Sequence, residues 1–499
     1  MMGAIAMGKY KALLESVERP PRGPTGCVRQ PPTRAGTLVN DVHSQLNLTR
    51  VERVVSVDSI TGIQATIRKA QREGKPISIA GSRHAMGGQQ FGTGTILIDT
   101  STLNRVLDFD PHRGIVEVEA GIEWPELMEY LVLAQRGRWP QWGIAQKQTG
   151  ADTFSIGGSL AANVHGRGLL FKPIIQDVES FVLVNAEGNL RTCSRRENPE
   201  LFRLVIGGYG LFGIIATVKL RLTPRTKLER VVEITELKDL IPAFERRAAE
   251  RCTYGDFQYS TETDSDDFLW NGVFSCYRPV DEATPIRDGQ KELSVRDWTE
   301  LIDHAHTAKG EAFRRYADHY LATSGQIYWS DTHQLSTYLD DYHRSLDRRL
   351  GTTHPATEII TEIYVPRQTL VEFMDEARDD FRKNNVNIIY GTIRLIERDD
   401  ETFLAWAKQP YACIIFNVHT VHTRERVEHS AAACRRLTDM AMHRGGSYYL
   451  TYHKFATRKQ VLACYPQFPE FLRLKQRYDP EERFQSDWYR HYRRMFTNV

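Results

Sequence analysis

The sequence predicts an α+β protein of at least two domains, and three observations support this. The 499 residues suffice for about three units of roughly 150 residues, or for two larger ones. Three glycine-rich stretches (81–88, 149–168 and 207–213) border short apolar runs that are typical of strands. Beyond about residue 230, glycines become rarer and amphipathic helical segments alternate with strand-like runs. We therefore expect a glycine-loop domain followed by a second α+β domain.

The first half is predicted to alternate short strands with helices. Residues 1–44, rich in proline, glycine and arginine, are predicted to form a mobile arm. Apolar spacing predicts a helix over Thr61–Glu73, and Pro125 in the first turn supports another over Trp124–Leu133. Glu187-Gly188 predicts a hairpin turn. The predicted strands are Pro76–Ala80, Thr95–Asp99, Ile115–Glu119, Val178–Val184, Asn189–Cys193 and Ile214–Leu222.

The second half is predicted to be a separate α+β domain. Amphipathic spacing predicts helices over Leu237–Ala249 and Leu370–Lys383, and a further helix over Tyr465–Tyr478. The expected strands lie around Phe257 and over Val273–Tyr277, Ile359–Val365 and Ala412–Val418. The expected division is 45–226 for the first domain, 227–446 for the second, and 447–499 for a C-terminal segment that returns to the first domain.

The bulk composition excludes several classes of protein. Lys and Arg total 65 against 63 Asp and Glu, so the formal charge of +2 gives no general attraction to nucleic acid or anionic membranes. The longest apolar run, near Leu211–Val218, is far shorter than the roughly 18 residues of a membrane span. The first residues do not predict a signal peptide, and the seven scattered cysteines favour a reducing compartment. A cytoplasmic location is expected, and the oligomeric state stays open.

Glycine-rich loops are typical of sites where the main chain contacts phosphate. Glycine permits positive φ and lets backbone N–H groups approach an anion closely. The run Gly207–Gly213 fits a GxxGxxG pattern, but a predicted strand follows it. A nicotinamide fingerprint requires a helix at that point, so nicotinamide binding in the usual mode is disfavoured. His84 lies in the first loop, at the end of a predicted buried strand, where side chains face a ligand.

All three loops resemble those of a known family. Ala80-Gly-Ser-Arg-His-Ala-Met-Gly-Gly-Gln89 is similar to the pyrophosphate loop of the vanillyl-alcohol oxidase / p-cresol methylhydroxylase (PCMH-type) superfamily of FAD enzymes. Ser155–Gly166 resembles the second FAD loop of this superfamily, and Gly208–Ile215 resembles the third. Order and spacing match over about residues 50–225, and the tail Arg473–Tyr489 resembles the ends of aldonolactone, alditol and decaprenylphosphoryl-ribose oxidases.

The resemblance implies an FAD-binding domain of two α/β subdomains, and a cap domain whose antiparallel sheet is flanked by helices. His84 falls where many members attach the flavin to an imidazole nitrogen, so covalent FAD is expected there. The second loop contains no cysteine, so one bond is expected rather than two. The implied contacts to the diphosphate are Gly81, Ser82, Arg83, Ala85, Gly87 and Gly88. Those to the ribityl and ring portion are Gly150, Ser155, Gly157, Gly158, Asn163 and His165. Those to the adenosine half are Ile214 and Ile215.

Candidate catalytic residues follow from the same resemblance. It places Arg394 near flavin and substrate, although Thr392 stands where relatives carry a glutamate. Tyr452 and Lys454 compete for the position of a catalytic-pocket lysine, because an ungapped count favours Tyr452. His165 matches a histidine that lies beside the flavin in the ribose-oxidase branch. These four residues are the expected catalytic set, together with the cap histidine considered next.

The histidines after the last predicted cap strand allow two interpretations. His419 is a candidate for contact with substrate or for catalysis, and it could equally be a hydrogen-bonded structural residue. A metal pair with His422 is disfavoured, because no cluster of carboxylates surrounds the two at ligand spacing. No metal is therefore predicted.

The sequence thus predicts an FAD-linked oxidoreductase. The expected reaction is oxidation of a CH–OH group of a sugar, lactone or related small alcohol by hydride transfer to flavin N5. The expected partners are a small-molecule substrate and O2 or another electron acceptor, with no nucleic acid. Oxidation of an amine or a phenol on the same fold, as in cytokinin dehydrogenases and phenol oxidases, is one alternative. A non-catalytic binding protein on a flavin fold is the other.

Overall fold

The computed structural model describes residues 36–337, 339 and 341–497. Residues 1–35 of the expected N-terminal arm lie outside the described residues, whereas 36–44 include the short strand β1. Within the described ranges, no helix combines the length and the apolar run needed to cross a bilayer.

The strands fall into a few groups along the chain. In order they are β1 (Thr37–Val39), β2 (Thr49–Val51), β3 (Arg53–Ser56), β4 (Ile77–Ala80), β5 (Ile96–Asp99), β6 (Val106–Asp110), β7 (Ile115–Glu119), β8 (Trp142–Gly143), β9 (Val178–Val184), β10 (Leu190–Ser194), β11 (Ile214–Arg221), β12 (Thr223–Pro224), β13 (Lys227–Glu236), β14 (Tyr254–Tyr259), β15 (Asn271–Pro279), β16 (Ile327–Trp329), β17 (Ala356–Pro366), β18 (Ile388–Ile396), β19 (Tyr411–Val421) and β20 (Ser447–Tyr448).

The helices lie between these strands and in the C-terminal segment. In order they are α1 (Ile60–Arg72), α2 (Trp124–Ala134), α3 (Ile156–Ala162), α4 (Pro199–Val205), α5 (Leu237–Ala249), α6 (Val295–Thr307), α7 (Lys309–Ala322), α8 (Tyr342–Leu350), α9 (Leu370–Lys383), α10 (Arg424–His443), α11 (Arg458–Cys464), α12 (Phe468–Tyr478) and α13 (Asp487–Thr497). Short 3-10 turns cover Ile174–Asp177, Thr332–Gln334 and Arg367–Thr369.

The first half contains two small sheets. Strands β3, β5 and β4 form a parallel sheet in that order, and helix α1 buries Ile63, Ile67 and Ala70 in the core of this subdomain. Strands β10, β9, β11, β7 and β6 form an antiparallel sheet. Strand β7 and helix α2 confirm the predictions for Ile115–Glu119 and for a helix that begins at Trp124.

The second half is organised around one antiparallel sheet of eight strands, in the order β16-β13-β15-β14-β18-β19-β17-β20. Its long central strands carry the predicted segments around Ile359–Val365 and Ala412–Val418. Helix α5 packs Phe244 on Phe274, whereas α7 packs Tyr316 beside Val273. Because neighbouring residues of a strand point to opposite faces, these helices cover the two sides of the sheet. Mixed helix and sheet throughout confirms the α+β class.

The C-terminal segment contains helices α11, α12 and α13. The helix expected over Tyr465–Tyr478 is confirmed only over Phe468–Tyr478, because α11 ends at Cys464 and α12 begins at Phe468. Pro466 lies in the break, where it disfavours helical geometry for the residue before it. Beyond α12, Phe484 pairs with Ile77 of β4 in parallel fashion, so the segment extends the first subdomain.

Candidate active site

Three loops that are far apart in the sequence meet around one cleft. The cleft holds about 1400 Å³ of space between protein atoms, counted to its open mouth. Ile360 of β17 together with Tyr449 and Tyr452 of the C-terminal segment also line it. The predicted cofactor contacts that line it are Gly81, Ser82, Arg83, His84, Ala85, Gly150, Ser155, Gly157, Gly158, Ile214 and Ile215.

The side of the cleft formed by the three loops, which we call the loop wall, consists largely of main chain. Glycine residues or residues in a left-handed conformation occupy several of its positions. Arg83 adopts φ +61° directly after β4, and its guanidinium donates to Asp99 Oδ2 at 2.9 Å. Gly157 packs against β7 so closely that an added Cβ would lie 2.8 Å from the Cβ of Ala120. Side chains larger than hydrogen would separate α3 from the sheet at this point.

The wall leaves room for a ligand of dinucleotide size and chemistry. A Cβ added at Gly158 would meet only Ser155 Oγ, at 3.0 Å, and otherwise enter open space. Gln90 lines the cleft, and its buried Oε1 has no hydrogen-bond partner among the residues that the structure describes. Buried polar atoms are normally paired, so this oxygen is suited to a donor group of a ligand. The residues present therefore fit FAD.

His84 lines the cleft, and both nitrogens of its imidazole ring make hydrogen bonds. Its Nε2 lies 2.9 Å from the carbonyl oxygen of Thr153, which can only accept, so Nε2 carries the proton. Its Nδ1 then accepts from Nε2 of His43, at 2.8 Å. Burial, reinforced by the neighbouring charge of His43, lowers the pKa of His84 to about 3. The imidazole is therefore neutral at physiological pH, with Nδ1 as its basic nitrogen.

Four predicted cofactor contacts, Gly87, Gly88, Asn163 and His165, are not among the residues that line the cleft. Gly87 is buried against the carbonyl oxygen of Tyr452, and Gly88 lies beside Asn47. Asn163 ends helix α3 in a left-handed conformation, and its amide donates to Asp399 Oδ2 at 2.9 Å. Lys454 likewise supports the first loop from outside, because its Nζ donates to the carbonyl oxygen of Gly87 at 3.2 Å.

Tyr452 and His165 meet at a buried carboxylate that the sequence analysis did not single out. Glu362 of β17 accepts from Nε2 of His165 at 2.6 Å and from Oη of Tyr452 at 3.3 Å. Burial alone raises the pKa of Glu362, but the charge and hydrogen bond of His165 outweigh it and hold that pKa below its usual value. A carboxylate thus lies one hydrogen bond away from a cleft-lining hydroxyl group.

The eight-stranded sheet of the second half, which we call the cap sheet, presents further polar groups without partners on its inner face. Glu362, Ile415 and Thr392 are directly opposite one another on β17, β19 and β18, so they share a face, and Arg394 follows two residues later on the same face. Asn417 shares it too, opposite the cleft-lining Ile360. Among the described residues, Thr392 Oγ1, Asn417 Oδ1, and Nε and Nη1 of Arg394 have no hydrogen-bond partner.

His419, the remaining catalytic candidate, lies next to Glu358 and away from the cleft-lining residues. Its Nδ1 is 3.5 Å from Glu358 Oε1, and the two residues are directly opposite each other on β19 and β17. The structure therefore brings Tyr452, His165 and Glu362 together, and it places His419 in a different cluster.

Some functional residues left a weak signal in the sequence. Glu358 and Glu362 interrupt an otherwise apolar strand at a spacing of four, which puts both on one face. Two buried carboxylates on one strand are costly unless they are paired, so this pattern could have identified them. Gln90 and Tyr449 carry no comparable signal, because only the fold brings them to the cleft.

Comparisons with known proteins agree with this geometry. The family described as FAD binding domain matches residues 51–194. A D-arabinono-1,4-lactone oxidase of Yarrowia lipolytica is 31% identical over 37% of this chain and 34% of its own length. An L-gulono-1,4-lactone dehydrogenase of Mycobacterium tuberculosis is 24% identical over 88% of this chain and 95% of its own length. Cytokinin dehydrogenase 4 of Oryza sativa subsp. japonica is 22% identical over 86% and 83%.

The matched family covers the whole of the first and second glycine loops, both of which line the cleft, but not the third. The chain spans about a third of the length of the first relative, whereas the other two matches run through the cap as well. Fold, cleft and relatives thus agree over the first half of the chain. Residues 51–194 match an FAD binding domain, and the chain is similar to proteins named as lactone oxidases and lactone dehydrogenases.

Proposed function

We propose that the protein oxidises a CH–OH group of a sugar lactone or a related small alcohol. The observation that carries this proposal is the polar face of the cap sheet around Arg394, Thr392 and Asn417, whose buried polar atoms have no partner among the described residues. Such groups suit a ligand rich in hydroxyl and carbonyl oxygens. Relatives named as lactone oxidases and dehydrogenases support the same class of substrate.

The residues around the cleft supply the acid–base part of such a reaction. Bound FAD would accept the hydride. Tyr452 Oη would take the proton of the substrate hydroxyl while passing its own to Glu362 Oε2, 3.3 Å away. His165 keeps Glu362 ready to accept this proton by holding it as a carboxylate. Arg394 would polarise the substrate oxygen, since its guanidinium is buried and has two nitrogens without partners among the described residues.

The proposed cofactor contacts are the cleft-lining glycines, with His84 as the point of covalent attachment. A neutral imidazole that lines the cleft supports this role. We expect flavin to remain with acid-precipitated wild-type protein and to be released completely from His84→Ala. The exposed His112 gives the matched control, because His112→Ala should retain the bond. Flavin that stays bound to precipitated His84→Ala would remove His84 from this role.

A substrate screen tests the function directly. We expect the oxidised-flavin absorbance band to disappear, in the absence of air, on adding L-gulono-1,4-lactone or D-arabinono-1,4-lactone. Cytokinins are the second set of compounds, because cytokinin dehydrogenases are also among the relatives. Reduction by cytokinins alone would replace the CH–OH proposal with amine oxidation. Admitting O2 or an artificial acceptor afterwards distinguishes an oxidase from a dehydrogenase.

We also propose a cytoplasmic location. Six cysteines lie in the described residues, and all six are buried and unpaired. This usage is typical of proteins kept in a reducing compartment. Fractionation of the source cells, with the flavin fluorescence of the protein as the marker, tests the proposal.

A further inference from the structure

Three histidines surround one buried carboxylate in the cap, and none of these four residues lines the cleft. Glu358 Oε1 lies 3.1 Å from Nε2 of His306 and 3.5 Å from Nδ1 of His419. Glu358 Oε2 lies 3.2 Å from Nδ1 of His343. The four side chains, which we call the cap cluster, are only 2–15% exposed. They come from four elements, namely α6, α8, β17 and β19.

The ligand atoms of three of these side chains lie at metal-ligand spacing. Bonds of about 2.0–2.1 Å to nitrogen and oxygen ligands put neighbouring ligand atoms of a tetrahedral site about 3.3–3.4 Å apart. The separations of Glu358 Oε1 from His306 Nε2 and from His419 Nδ1, 3.1 and 3.5 Å, lie on either side of that value. The ligand atoms of His306, Glu358 and His419 all lie within 4.8 Å of one another.

The orientation of the imidazoles agrees with metal binding. His306 donates from Nδ1 to the carbonyl oxygen of Ile302 at 2.8 Å, which leaves Nε2 facing Glu358 Oε1 at 3.1 Å. A cation bound between these two atoms would replace the proton that they share. A carbonyl acceptor behind the ring is the usual second partner of a metal-binding histidine.

The other two rings leave nitrogens available. Nδ1 of His343 and Nδ1 of His419 make no hydrogen bond of acceptable geometry to any residue in the described ranges. Both nitrogens point to the carboxylate of Glu358, whose Oε2 also accepts from the hydroxyl of Tyr342. Buried polar atoms are normally hydrogen-bonded, so polar atoms without a partner in this cluster favour the binding of a ligand from outside the protein.

The sequence hid this site because its carboxylate is remote. No cluster of carboxylates surrounds His419 and His422 along the chain, but the pairing of β17 with β19 puts Glu358 opposite His419. Helices α6 and α8 then bring His306 and His343 from elsewhere in the cap.

We propose that His306, His419 and Glu358 bind a single divalent transition-metal ion, with Zn²⁺ as the ion that this set of imidazole and carboxylate ligands suits best. The ion ties helix α6 to strands β17 and β19 of the cap sheet. His343 contacts the second oxygen of the Glu358 carboxylate and supports the site from outside.

The test uses tag-free, flavin-loaded protein that has been stripped with a chelator, incubated with one equivalent of Zn²⁺ and desalted. We expect one zinc per chain in the wild type, and less than about one tenth of that in His306→Ala and Glu358→Gln, because removing a ligand exceeds the roughly 10- to 100-fold loss seen for second-shell partners. His304→Ala is the matched control, since His304 lies on the same helix and bonds to the carbonyl of Glu300. Loading with Co²⁺ should give the intense visible bands of a tetrahedral ion.

Wild-type protein that retains no zinc, or binds it more weakly than about 1 µM in competition with a chelator, overturns the proposal. So does equal zinc retention in the wild type, in Glu358→Gln and in His306→Ala, which would indicate a site elsewhere. If the variants do not fold, the wild-type competition titration and the Co²⁺ spectrum decide the matter without them.

Discussion

The glycine-loop wall and the cap sheet bound the same cleft, but they are built from different parts of the chain. The wall consists of main chain and small residues from three continuous loops, such as 81–85 and 155–158. The cap contributes long side chains from strands whose order along the sheet differs from their order in the sequence. Contacts to a common cofactor are therefore encoded locally, whereas contacts to the substrate depend on strand register.

The largest effect is expected from filling the wall. A side chain at Gly158 would project into the cleft, because an added Cβ meets only Ser155 Oγ there. We expect Gly158→Leu to fold and to lose FAD binding by about 100-fold or more, which corresponds to about 2.7 kcal/mol. The measurement is the flavin-to-protein ratio after desalting, followed by titration of the apoprotein with FAD.

Gly62→Leu is a closely matched control for that substitution. Gly62 also lies three residues after a serine that precedes a helix, and an added Cβ would lie 3.2 Å from Ser59 Oγ. It belongs to α1 and does not line the cleft. Equal flavin content in the two variants would contradict the placement of the cofactor along α3.

The acid–base pair of Tyr452 and Glu362 should have the next largest effect. Tyr452→Phe removes the hydroxyl that contacts Glu362 Oε2, so we expect flavin reduction by substrate to slow by about 100- to 1000-fold. Glu362→Gln should act in the same direction and should also change the pH profile of the reduction rate. Stopped-flow absorbance without air measures both.

Tyr259→Phe provides the comparison for these two variants. Its hydroxyl is also buried in the cap but donates to the carbonyl oxygen of Ile415 at 2.6 Å. Loss of that bond should lower stability by about 1 kcal/mol and change the reduction rate little. A Tyr452→Phe enzyme as fast as Tyr259→Phe would rule out the proposed proton path.

Arg394 allows a finer test of the cap surface. Hydrogen bonds to a charged group contribute about 1.5–3 kcal/mol, so Arg394→Ala should slow flavin reduction by about 10- to 100-fold and leave FAD affinity nearly unchanged. Arg394→Lys, which keeps the charge but not the planar fork, should recover part of the rate. An unchanged reduction rate in Arg394→Ala would remove this residue from the active site.

The contrast between continuous loops and paired cap strands explains which parts of the site could be predicted from the sequence. The loops that carry His84 and Gly158 are continuous, so their glycine spacing was enough to predict one shared site. Glu362 meets His165 across 197 positions, and only the register of β17 brings them together. A shift by one residue would turn Glu362 away from the cleft, and the sequence does not specify that register.

Asn163 and Lys454 show a second limit. Asn163 belongs to the right loop, but α3 ends there with φ +50°, which turns its side chain toward Asp399. Lys454 lies two residues from Tyr452, and the turn between them sends Lys454 to the back of the first loop. Motif spacing identified the segments, whereas side-chain direction within each segment depended on backbone conformation.

The smallest effect on flavin reduction is expected at Asp177, a partly buried side chain of the first half that does not line the cleft. Asp177 accepts from Nε2 of Gln146 at 2.9 Å, and burial raises its pKa to about 7. Its pKa in the unfolded chain is near 3.8. Between these values the folded state binds more protons than the unfolded state, so this group lowers stability as the pH rises from about 4 to about 7.

Asp177→Asn removes that penalty, because the amide is neutral at every pH and can still accept from Gln146. We expect the variant to match the wild type near pH 4 and to exceed its unfolding free energy by about 2–4 kcal/mol at pH 8. Urea unfolding at both pH values measures this, with the exposed Asp108→Asn as control. Flavin reduction should not change, since the first half uses its buried side chains for stability and leaves proton transfer to the cap. Slower flavin reduction in Asp177→Asn would contradict this division of roles between the two regions.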